Sequence, residues 1–464
     1  MSYVYAKKWI FCREVAVRYG IAINFVDCLA SLRFSNLVEK KSMLYVTWWI
    51  LSWSFFPMAL FANHLRVGFG QADITPPLGT PSAGYSERAT TGMQGVHDPL
   101  LAMAVWIDHG EKQLVLCSVD HLGFTHEMVQ SIIDKIHAHT LLKNSEIFIA
   151  SSHTHSGGGA YLNIPVIGEI LAGKYNAKIT QFYINQTVQA ILQAYQNQIP
   201  AKLGVGYGKA ECLSHYRGTW PQNISPLNDV AIIKITHLDG TPLAVLFNYP
   251  IHPTVLNKKN VLFSADFVGY ARHYLQASLG EEVHPIYLNG AQGDVVPAPS
   301  FVKNLFDACD HLGKSLAETV KKIWSETETY DSVKIETKTY RYRFLTQVNP
   351  FGLGLGLDNY ESELSVIVLN KTHAFVTIPG ELSCFYDQRF KELGKEMGFS
   401  HVSIFGLTND AHGYIISPDS WRHKTFESTL SFGGENYGEF CEKKIQELLQ
   451  SLSSPEQHQT VSSD

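Results

Sequence analysis

Two short apolar runs separated by one amphipathic segment constrain the fold of this chain more than any other feature. Residues Gln113–Val119 read QLVLCSV and residues Glu146–Ser151 read EIFIAS, the pattern of strands that are buried on both faces. The segment Thr125–His139 between them has apolar residues at helical spacing: Met128, Ile132, Ile133 and Ile136. A strand, a helix and a second strand form a βαβ unit, so the two strands are predicted to run parallel.

Similar patterns recur along the rest of the chain. Further strands are predicted at Lys202–Tyr207, Asp229–Thr236, Leu243–Asn248, Pro285–Asn289, Ser365–Leu369, Ala374–Ile378 and Val402–Phe405. Further helices are predicted at Ile179–Gln198, Phe267–Ser278, Lys303–Ser325, Ser383–Met397 and Asn436–Ser451. The mixture predicts an α/β fold, a layered mixed sheet with flanking helices, in a single catalytic domain over residues 65–450. Active sites of such folds lie beyond the carboxyl ends of the strands.

The N-terminal region contains an apolar segment, residues 43–62, with 20 residues and no charge, which is long enough to cross a bilayer as a helix. Lys40 and Lys41 precede it, as the basic flank of a signal peptide or signal anchor does. Either Met43 is the real start and the segment is a cleaved signal peptide that ends near Ala62, or residues 1–41 are a cytoplasmic N-terminal extension and residues 42–62 are an uncleaved anchor. A buried core helix is the third alternative. Both leading alternatives predict export, as a secreted, periplasmic or membrane-anchored extracytoplasmic protein.

The C-terminal tail, residues 451–464, is rich in Ser and Gln and is predicted to be disordered.

Composition excludes two classes of protein. The formal net charge of -6 provides no basic surface of the kind that nucleic-acid binding needs. The seven cysteines include no Cys-x-x-Cys pair, which argues against a cysteine-based structural zinc site. Nothing in the sequence specifies an oligomeric state.

The first polar cluster, SSHTHSGGG at residues 151–159, directly follows a predicted strand. His153 and His155 are separated by one residue, so an extended backbone would place both imidazoles on the same side. His-x-His at a strand end is a frequent metal-ligand arrangement, and the glycine run that includes Gly157 lets a substrate approach the backbone closely. Two hydrogen-bonded loop histidines are the alternative.

Three further polar residues follow predicted strands. His252, in the segment NYPIHPT, is either a metal ligand or a lone capping histidine. Glu381, in IPGELS, precedes a predicted helix, and the motif alone favours a carboxylate that stabilises the helix dipole. Tyr414, in GLTNDAHGYI, is on its own an ordinary half-buried aromatic residue.

Taken together, these segments resemble the neutral, or non-lysosomal, ceramidase family from about Arg66 to about Leu430. The similar strings keep the family's order and intervals: RVGFGQADITPP, AGYSERATTGMQGVHDPLLAMAVWI, CSVDHLG, SSHTHSGGG, SHYRGTW, IHPT, NGAQGDVVP, PGEL and GLTNDAHGYI. The resemblance implies a hydrolase that cleaves the amide bond of ceramide (N-acylsphingosine) to a fatty acid and a sphingoid base. The membrane surface would be the source of this substrate.

The resemblance also implies roles for individual residues. A zinc ion would be held by His153, His252, Glu381 and Tyr414. His155 would be the acid/base residue that does not bind the metal, and Arg217 would orient the substrate, so that His155, Arg217 and Tyr414 form the catalytic group. Gly157 and Asp294 are assigned to substrate binding.

Two positions depart from the family pattern. The serine to which the family assigns a nucleophilic role is replaced by Val296, and a tyrosine twelve residues after the zinc tyrosine is replaced by Phe426. A valine has no hydroxyl, so a serine-nucleophile mechanism is excluded at that position, whereas a zinc–water mechanism survives. The family's C-terminal immunoglobulin-like domain is expected to be absent. The departures leave two alternatives open: a zinc amidase or esterase that acts on another N-acyl substrate, or a silent homologue that binds zinc or lipid.

Overall fold

The structure is a computed structural model that describes residues 65–110, 112–221, 224–300, 302–352, 354 and 360–453. The described residues belong to one compact unit. The extension 1–41, the segment 42–62 and residues 454–464 of the predicted tail lie outside the described residues. Within the described ranges, no helix combines the length and the apolar character that crossing a bilayer requires.

Nineteen strands are present in the described residues. In chain order they are β1 Arg66–Asp73, β2 Gly95–Val96, β3 Leu101–Asp108, β4 Gln113–Val119, β5 Ile147–Ser151, β6 Ile199–Pro200, β7 Lys202–Lys209, β8 Ser214–Tyr216, β9 Asp229–Thr236, β10 Pro242–Tyr249, β11 Leu262–Phe263, β12 His284–Asn289, β13 Val295–Pro297, β14 Ile335–Phe344, β15 Tyr360–Leu369, β16 His373–Thr377, β17 Glu381–Leu382, β18 His401–Phe405 and β19 Tyr414–Ile415.

Eight α-helices accompany these strands in the described part of the chain. They are α1 His126–His137, α2 Ile167–Ala172, α3 Ala177–Gln196, α4 Phe267–Leu279, α5 Leu305–Glu326, α6 Cys384–Glu396, α7 Pro418–Arg422 and α8 Tyr437–Leu452. Short 3-10 helices lie at Ser86–Arg88, Asn144–Glu146 and Phe426–Leu430.

The predicted α/β class is confirmed, but the described strands form three larger mixed sheets and three two-stranded pairs (β2 with β11, β8 with β13, and β17 with β19) rather than one sheet. The first sheet has the order β5-β4-β3-β1-β6, the second β12-β10-β9-β7 and the third β14-β15-β16-β18. In each sheet a single parallel pair lies beside antiparallel strands: β4 with β5, β10 with β12, and β16 with β18. Each parallel pair is joined through a helix, namely α1, α4 and α6. The βαβ unit predicted from the sequence is the first of these three.

Alternate residues of a strand point to opposite faces of its sheet, so both faces of a buried strand must be covered. Helices cover the outer faces of the sheets. Val115 and Cys117 of β4 pack in the core beneath α1 and α3, whereas Leu114 and Leu116 point to the opposite face. That opposite face belongs to a core shared by the three sheets, to which Ile233 and Phe375 also contribute. The predicted apolar stripe of α1 is buried, and the side chain of its N-cap residue Thr125 accepts a hydrogen bond from the backbone N–H of Met128. The three βαβ units therefore present the carboxyl ends of their parallel strands around one region.

Candidate metal centre and active site

The predicted site residues follow the carboxyl ends of the parallel strands. His153 and His155 come after β5, and His252 comes after β10. Glu381 and Tyr414 lie in β17 and β19, the short strands that follow β16 and β18. The segments that follow strands of all three sheets thereby bring these side chains to one place, which is where the active sites of open α/β sheets lie.

Two of the four predicted zinc ligands, His153 and His252, converge on a carboxylate oxygen of the third, Glu381. Oε2 of Glu381 lies 3.1 Å from Nε2 of His153 and 3.0 Å from Nε2 of His252. All three side chains are buried. Despite this proximity, neither His252 Nε2 nor Glu381 Oε2 has a partner with hydrogen-bond geometry in the described part of the chain. Buried polar atoms without hydrogen bonds are rare, and ligand atoms of a metal site are one reason for them.

The backbone fixes the tautomers of the two histidines. Nδ1 of His153 lies 2.6 Å from the carbonyl oxygen of Leu122, and Nδ1 of His252 lies 2.6 Å from that of Gln292. A carbonyl oxygen only accepts, so both Nδ1 atoms must carry the proton. The lone pair on each Nε2 then faces Glu381, which is the arrangement that metal-binding histidines use. Burial lowers the pKa of His252 to about 4, so this imidazole is neutral and suited to ligation.

Electrostatics in the cluster favour an ionised carboxylate. Burial opposes the ionisation of Glu381, but positive charge on the neighbouring imidazoles of His153 and His252 would outweigh it and hold the pKa of this carboxyl well below its ordinary value. Burial and the charge of Glu381 raise the pKa of Tyr414, and the guanidinium of Arg217 opposes that rise. A buried carboxylate that faces two imidazole lone pairs provides the donor set that suits zinc.

The phenol of Tyr414 is held next to the cluster by Arg217. One guanidinium nitrogen, Nη2, donates to the Tyr414 hydroxyl at 3.0 Å and to the carbonyl of Gly293 at 2.9 Å. Nε of Arg217 donates to Oε1 of Glu427 at 3.0 Å, and the Glu427 carboxylate is buried. Glu427 was not predicted from the sequence, because an acidic residue in a turn-rich loop carries no local pattern.

His155 differs from the other two histidines. Its Nε2 lies 3.4 Å from Nε2 of His153, but its buried Nδ1 has no hydrogen-bond partner among the described residues. Burial, followed by the neighbouring imidazoles of His153 and His252, holds the pKa of His155 well below its ordinary value. The nitrogen atoms of these three histidines lie within 4.8 Å of one another, so His155 could also serve as a ligand. The absence of a carbonyl partner on Nδ1 favours the acid/base role over ligation.

The expectation of an extended His-x-His backbone is wrong. His153 has a φ of 70°, in the left-handed region that residues other than glycine seldom adopt. The two imidazoles are adjacent nevertheless, with ring centroids 4.9 Å apart. Strain of this kind persists where the surrounding structure fixes it, which at His153 includes the hydrogen bond from Nδ1 to Leu122.

The two residues assigned to substrate binding lie outside the cavity wall. The carboxylate of Asp294 accepts hydrogen bonds from the hydroxyl of Ser383 and, at 2.8 Å, from the N–H of Cys384, at the start of α6. The backbone carbonyl of Asp294 accepts from the N–H of Arg217. Gly157 is buried, and an added Cβ would lie 3.2 Å from the carbonyl oxygen of Asp120. Asp294 therefore positions α6 and Arg217, and direct substrate contact by either residue stays a prediction.

A cavity of about 660 Å³ opens onto the cluster. Its polar end contains His153, His155, Arg217, Glu381 and Tyr414. The remainder is lined largely by apolar side chains from α1, α2, α3, the segment after α7 and the loops that follow β4, β5 and β18. These side chains are Leu122, Met128, Tyr161, Leu162, Ile164, Ile167, Leu171, Ile184, Leu407, Phe426, Leu430 and Phe432. A mostly apolar pocket with a few convergent polar groups is the usual form of a small-molecule site.

The two departures from the family pattern differ in position. Phe426 lines the cavity, is 62% exposed, and its ring centroid lies 4.9 Å from the guanidinium carbon of Arg217. Val296 instead pairs with His215 between β13 and β8 and is not part of the cavity wall. A substrate in the cavity would meet Phe426 but not Val296.

Comparison with known proteins identifies the relatives of this chain. The model of the family described as neutral/alkaline non-lysosomal ceramidase, N-terminal, matches residues 65–298. Neutral ceramidase A of Dictyostelium discoideum is 28% identical over 228 residues, which are 46% of this chain and 32% of that protein. Neutral ceramidase of Pseudomonas aeruginosa is 25% identical over 228 residues, 45% of this chain and 33% of that protein. The matched part thus spans about a third of these curated relatives.

The solved structures agree on the fold. The crystal structure of neutral ceramidase from Pseudomonas aeruginosa superposes with a TM-score of 0.75 at 16% identity, covering 84% of this chain and 74% of that one. A ceramidase complexed with C2 gives the same TM-score and identity, with 84% and 75% covered. The fold is therefore shared, although the sequences have diverged widely.

Proposed function

The chain belongs to the neutral/alkaline non-lysosomal ceramidase family, and from this premise we propose that it is a zinc-dependent amidohydrolase that cleaves ceramide to a fatty acid and a sphingoid base. The observation that carries the proposal is the convergence of Nε2 of His153 and Nε2 of His252 on Oε2 of Glu381. Both Nδ1 atoms are committed to carbonyl oxygens, which leaves the Nε2 lone pairs directed at the same point.

His153, His252 and Glu381 would hold the metal, with Tyr414 as the fourth ligand. Imidazole and carboxylate donors suit Zn²⁺, whereas a phenol is an unusual ligand whose phenolate form the metal charge would stabilise. When bound, zinc lowers the pKa of a water molecule to about 7 and polarises a carbonyl group as a Lewis acid.

His155 is the general acid/base in this proposal. It lies beside His153 at the polar end of the cavity and makes no side-chain contact that would fix it as a ligand. His155 accepts a proton from the attacking water and returns it to the nitrogen of the departing sphingoid base. Proton transfer of this kind typically contributes roughly 100- to 10,000-fold to the rate.

Arg217 orients the substrate and stabilises negative charge on the carbonyl oxygen. Glu427, Gly293 and Tyr414 accept hydrogen bonds from Nε and Nη2, so the guanidinium is fixed before substrate binds. A donor fixed in advance pays no reorganisation cost during the reaction, which is why such groups are effective. The apolar wall of the cavity binds the hydrocarbon part of the substrate, at about 0.8 kcal/mol for each buried methylene.

A second candidate keeps the reaction and changes the substrate to another N-acyl lipid. Phe426 motivates it, because this residue replaces the family tyrosine and lines the cavity. Val296 provides no such motive, since it lies in the β8–β13 pair away from the cavity wall. A silent zinc- or lipid-binding homologue remains the third hypothesis.

The test uses the full chain with its metal content measured by mass spectrometry. We expect close to one zinc per chain and zinc-dependent release of fatty acid from a short-chain fluorescent ceramide. Chelation should abolish release and added zinc should restore it. His153→Ala should lose both zinc and activity, whereas His139→Ala, at an exposed position after α1, should keep both. Release that survives chelation would contradict the zinc role, and strong preference for another N-acyl substrate would favour the second candidate.

We also propose that the domain acts outside the cytoplasm at a membrane surface, because the apolar segment 43–62 and its basic flank are typical of exported chains. Mass spectrometry of the mature N-terminus distinguishes the two leading alternatives. An N-terminus near Asn63 would indicate cleavage, and one at Met1 would indicate an anchor.

A further inference from the structure

A buried arginine that lies behind the site has no role in the scheme above. Arg88, in the 3-10 helix Ser86–Arg88, is only 3% exposed. Its Nη1 donates to the carbonyl of Asn260 at 2.9 Å, its Nη2 donates to the carbonyl of His155, and its Nε has no hydrogen-bond partner in the described ranges. The guanidinium carbon lies 4.9 Å from the centroid of the Tyr85 ring. In the part of the chain that the structure describes, this cation thus meets carbonyl oxygens and an aromatic face rather than a carboxylate.

Burying a cation without a carboxylate in contact is costly, so the contacts that it makes need an explanation. The carboxylates of Asp266 and Glu87 favour the charged form of Arg88 only through attraction at longer range. Burial lowers the pKa of Arg88 only to about 10, so the residue stays charged at neutral pH. Charged donors make stronger hydrogen bonds to carbonyl oxygens than neutral donors do. The charged guanidinium of Arg88 therefore makes strong hydrogen bonds to the carbonyl groups of both His155 and Asn260.

His155 depends on such contacts more than the other histidines of the site. His153 and His252 are oriented by hydrogen bonds from Nδ1 to carbonyl oxygens, but Nδ1 of His155 has no partner among the described residues. The ring of His155 is confined by packing instead: the Tyr85 ring lies 4.9 Å away, and Gly84 is so close to Nδ1 that it leaves no room for a Cβ. Its orientation is therefore set by the loop that carries Gly84, Tyr85 and Arg88.

The backbone of His155 is attached to the same loop. Its carbonyl oxygen accepts from Arg88 Nη2 and, at 2.9 Å, from Oγ of Ser82. Asn260, the other acceptor of Arg88, donates from Nδ2 to Oγ of Ser156 at 2.9 Å. Arg88 thus connects the loop around Tyr85, the His-x-His segment and the segment around Asn260.

We propose that Arg88 is a positioning residue that fixes the carbonyl of His155 and thereby holds the unanchored imidazole in place for proton transfer. The inference rests on the acid/base role proposed for His155. Arg88 touches neither the metal ligands nor the substrate in this account, and it acts only through His155. Arg88 was not predicted from the sequence, because an arginine in a short turn has no pattern that reveals burial.

A double-mutant cycle tests the proposal on the full zinc-loaded chain. Arg88→Met keeps the length and the apolar stem of the side chain and removes both hydrogen bonds, and Arg88→Lys keeps the charge but loses the planar two-nitrogen geometry. We expect Arg88→Met to lower kcat on the order of 10- to 100-fold, as a small misplacement of a reacting group does, with KM changed less and the zinc content unchanged. Arg88→Lys should lose less.

The His155→Ala background separates positioning from a general structural role. If Arg88 acts through His155, Arg88→Met should cause no further loss of activity in a chain that already lacks the imidazole. Equal losses in the two backgrounds, or a loss of zinc that parallels the loss of activity, would overturn the proposal. Glu87→Gln is the matched control: it changes the neighbouring residue, whose exposed side chain pairs with Lys258, and it should leave kcat unchanged.

A crystal structure of Arg88→Met gives a readout that does not need activity. We expect the ring of His155 to move or to occupy more than one orientation, while His153, His252 and Glu381 keep their places. A His155 ring that stays where it is overturns the proposal. If the wild-type chain with zinc hydrolyses none of the N-acyl substrates, the proposed function fails, and the ring position still decides the role of Arg88.

Discussion

Glu381 and Tyr414 lie directly opposite each other in the parallel pair of two-residue strands β17 and β19. Opposed residues of neighbouring strands project to the same face, so the carboxylate and the phenol approach the site together. The two strands come close because Gly380 has no side chain: a Cβ there would lie 2.7 Å from the carbonyl oxygen of Gly413. The β17–β19 pair thereby delivers two predicted ligands as one unit, next to the histidines that follow β5 and β10.

Glu381→Gln should abolish tight zinc binding while leaving the fold intact. The amide matches the carboxylate in shape but lacks the charge that faces His153 and His252. We expect zinc affinity to fall at least 10- to 100-fold, the range seen when even outer residues of a metal site are changed. Zinc retained after dialysis against a competing chelator is the measurement. Glu439→Gln, on the exposed face of α8, is the control, and equal zinc retention by both variants would remove Glu381 from the ligand set.

Restoring the two family residues should have different effects. Phe426→Tyr places a phenol in the cavity wall next to Arg217, so we expect kcat for ceramide to rise, by up to about 100-fold if the hydroxyl reaches the developing oxyanion. Val296→Ser should produce no gain, because residue 296 pairs with His215 outside the cavity wall. Steady-state kinetics on one ceramide substrate decide between them. A gain from the serine and none from the tyrosine would mean that the substrate lies elsewhere.

Asp266 should make the wild-type protein lose stability as the pH rises. Burial raises the pKa of this carboxyl from 3.8 to about 6, so the folded state holds its proton over a range in which the unfolded state has released it. Between about pH 4 and pH 6 folding therefore becomes less favourable, by about 3 kcal/mol in total for a shift of this size. The side chain that replaces the carboxyl in the variant Asp266→Asn has no titratable group. The free energy of unfolding of this variant, measured relative to wild type, should therefore increase as the pH rises through that window.

Denaturant titrations at pH 4, 5, 6 and 7 measure this difference. The exposed Asp239 is the control: hydrogen bonds from the N–H and hydroxyl of Thr241 lower the pKa of its carboxyl. Its titration window therefore lies below its ordinary pKa of 3.8, so Asp239→Asn should stay parallel to wild type between pH 4 and pH 7. Parallel curves for Asp266→Asn and wild type would show that Asp266 titrates normally.

Much of the fold followed from the period of the apolar residues. The prediction of β4 at Gln113–Val119 and of β9 at Asp229–Thr236 matches the structure residue for residue, and α4 differs from its prediction only at its end. These segments are buried, so their pattern reflects their environment directly. Strand β14, Ile335–Phe344, was missed because an edge strand tolerates many charged and polar residues, such as Lys338 and Arg341.

The number of sheets was not predictable in the same way. Periodicity identifies a strand, but the choice of its neighbours depends on contacts between residues that are far apart in the chain, such as the pairing of β16 with β18. The site residues likewise differ in how far the sequence predicts them. His153 and His252 were predicted because each is a polar residue that follows a buried strand. Arg88 and Glu427 lie in turns without a local pattern, so only the three-dimensional contacts reveal them.

The width of the cavity between α1 and α3 should determine which acyl chains are accepted. Ile184 of α3 is buried and forms part of the cavity wall. Ile184→Phe adds volume to a close-packed wall and shortens the cavity. Long acyl chains should therefore bury fewer methylenes, while short acyl chains should still fit. At about 0.8 kcal/mol for each methylene, the loss of two or three corresponds to a decrease in kcat/KM of roughly 10- to 50-fold for long-chain substrates relative to short-chain ones.

Asn185→Phe, on the exposed face of the same helix, is the control and should leave the ratio of kcat/KM between long-chain and short-chain substrates unchanged. The measurement is kcat/KM across a series of ceramides that differ only in acyl length. A parallel decrease for every chain length would indicate damage to the fold, and no decrease at all would place the acyl chain on another wall of the cavity.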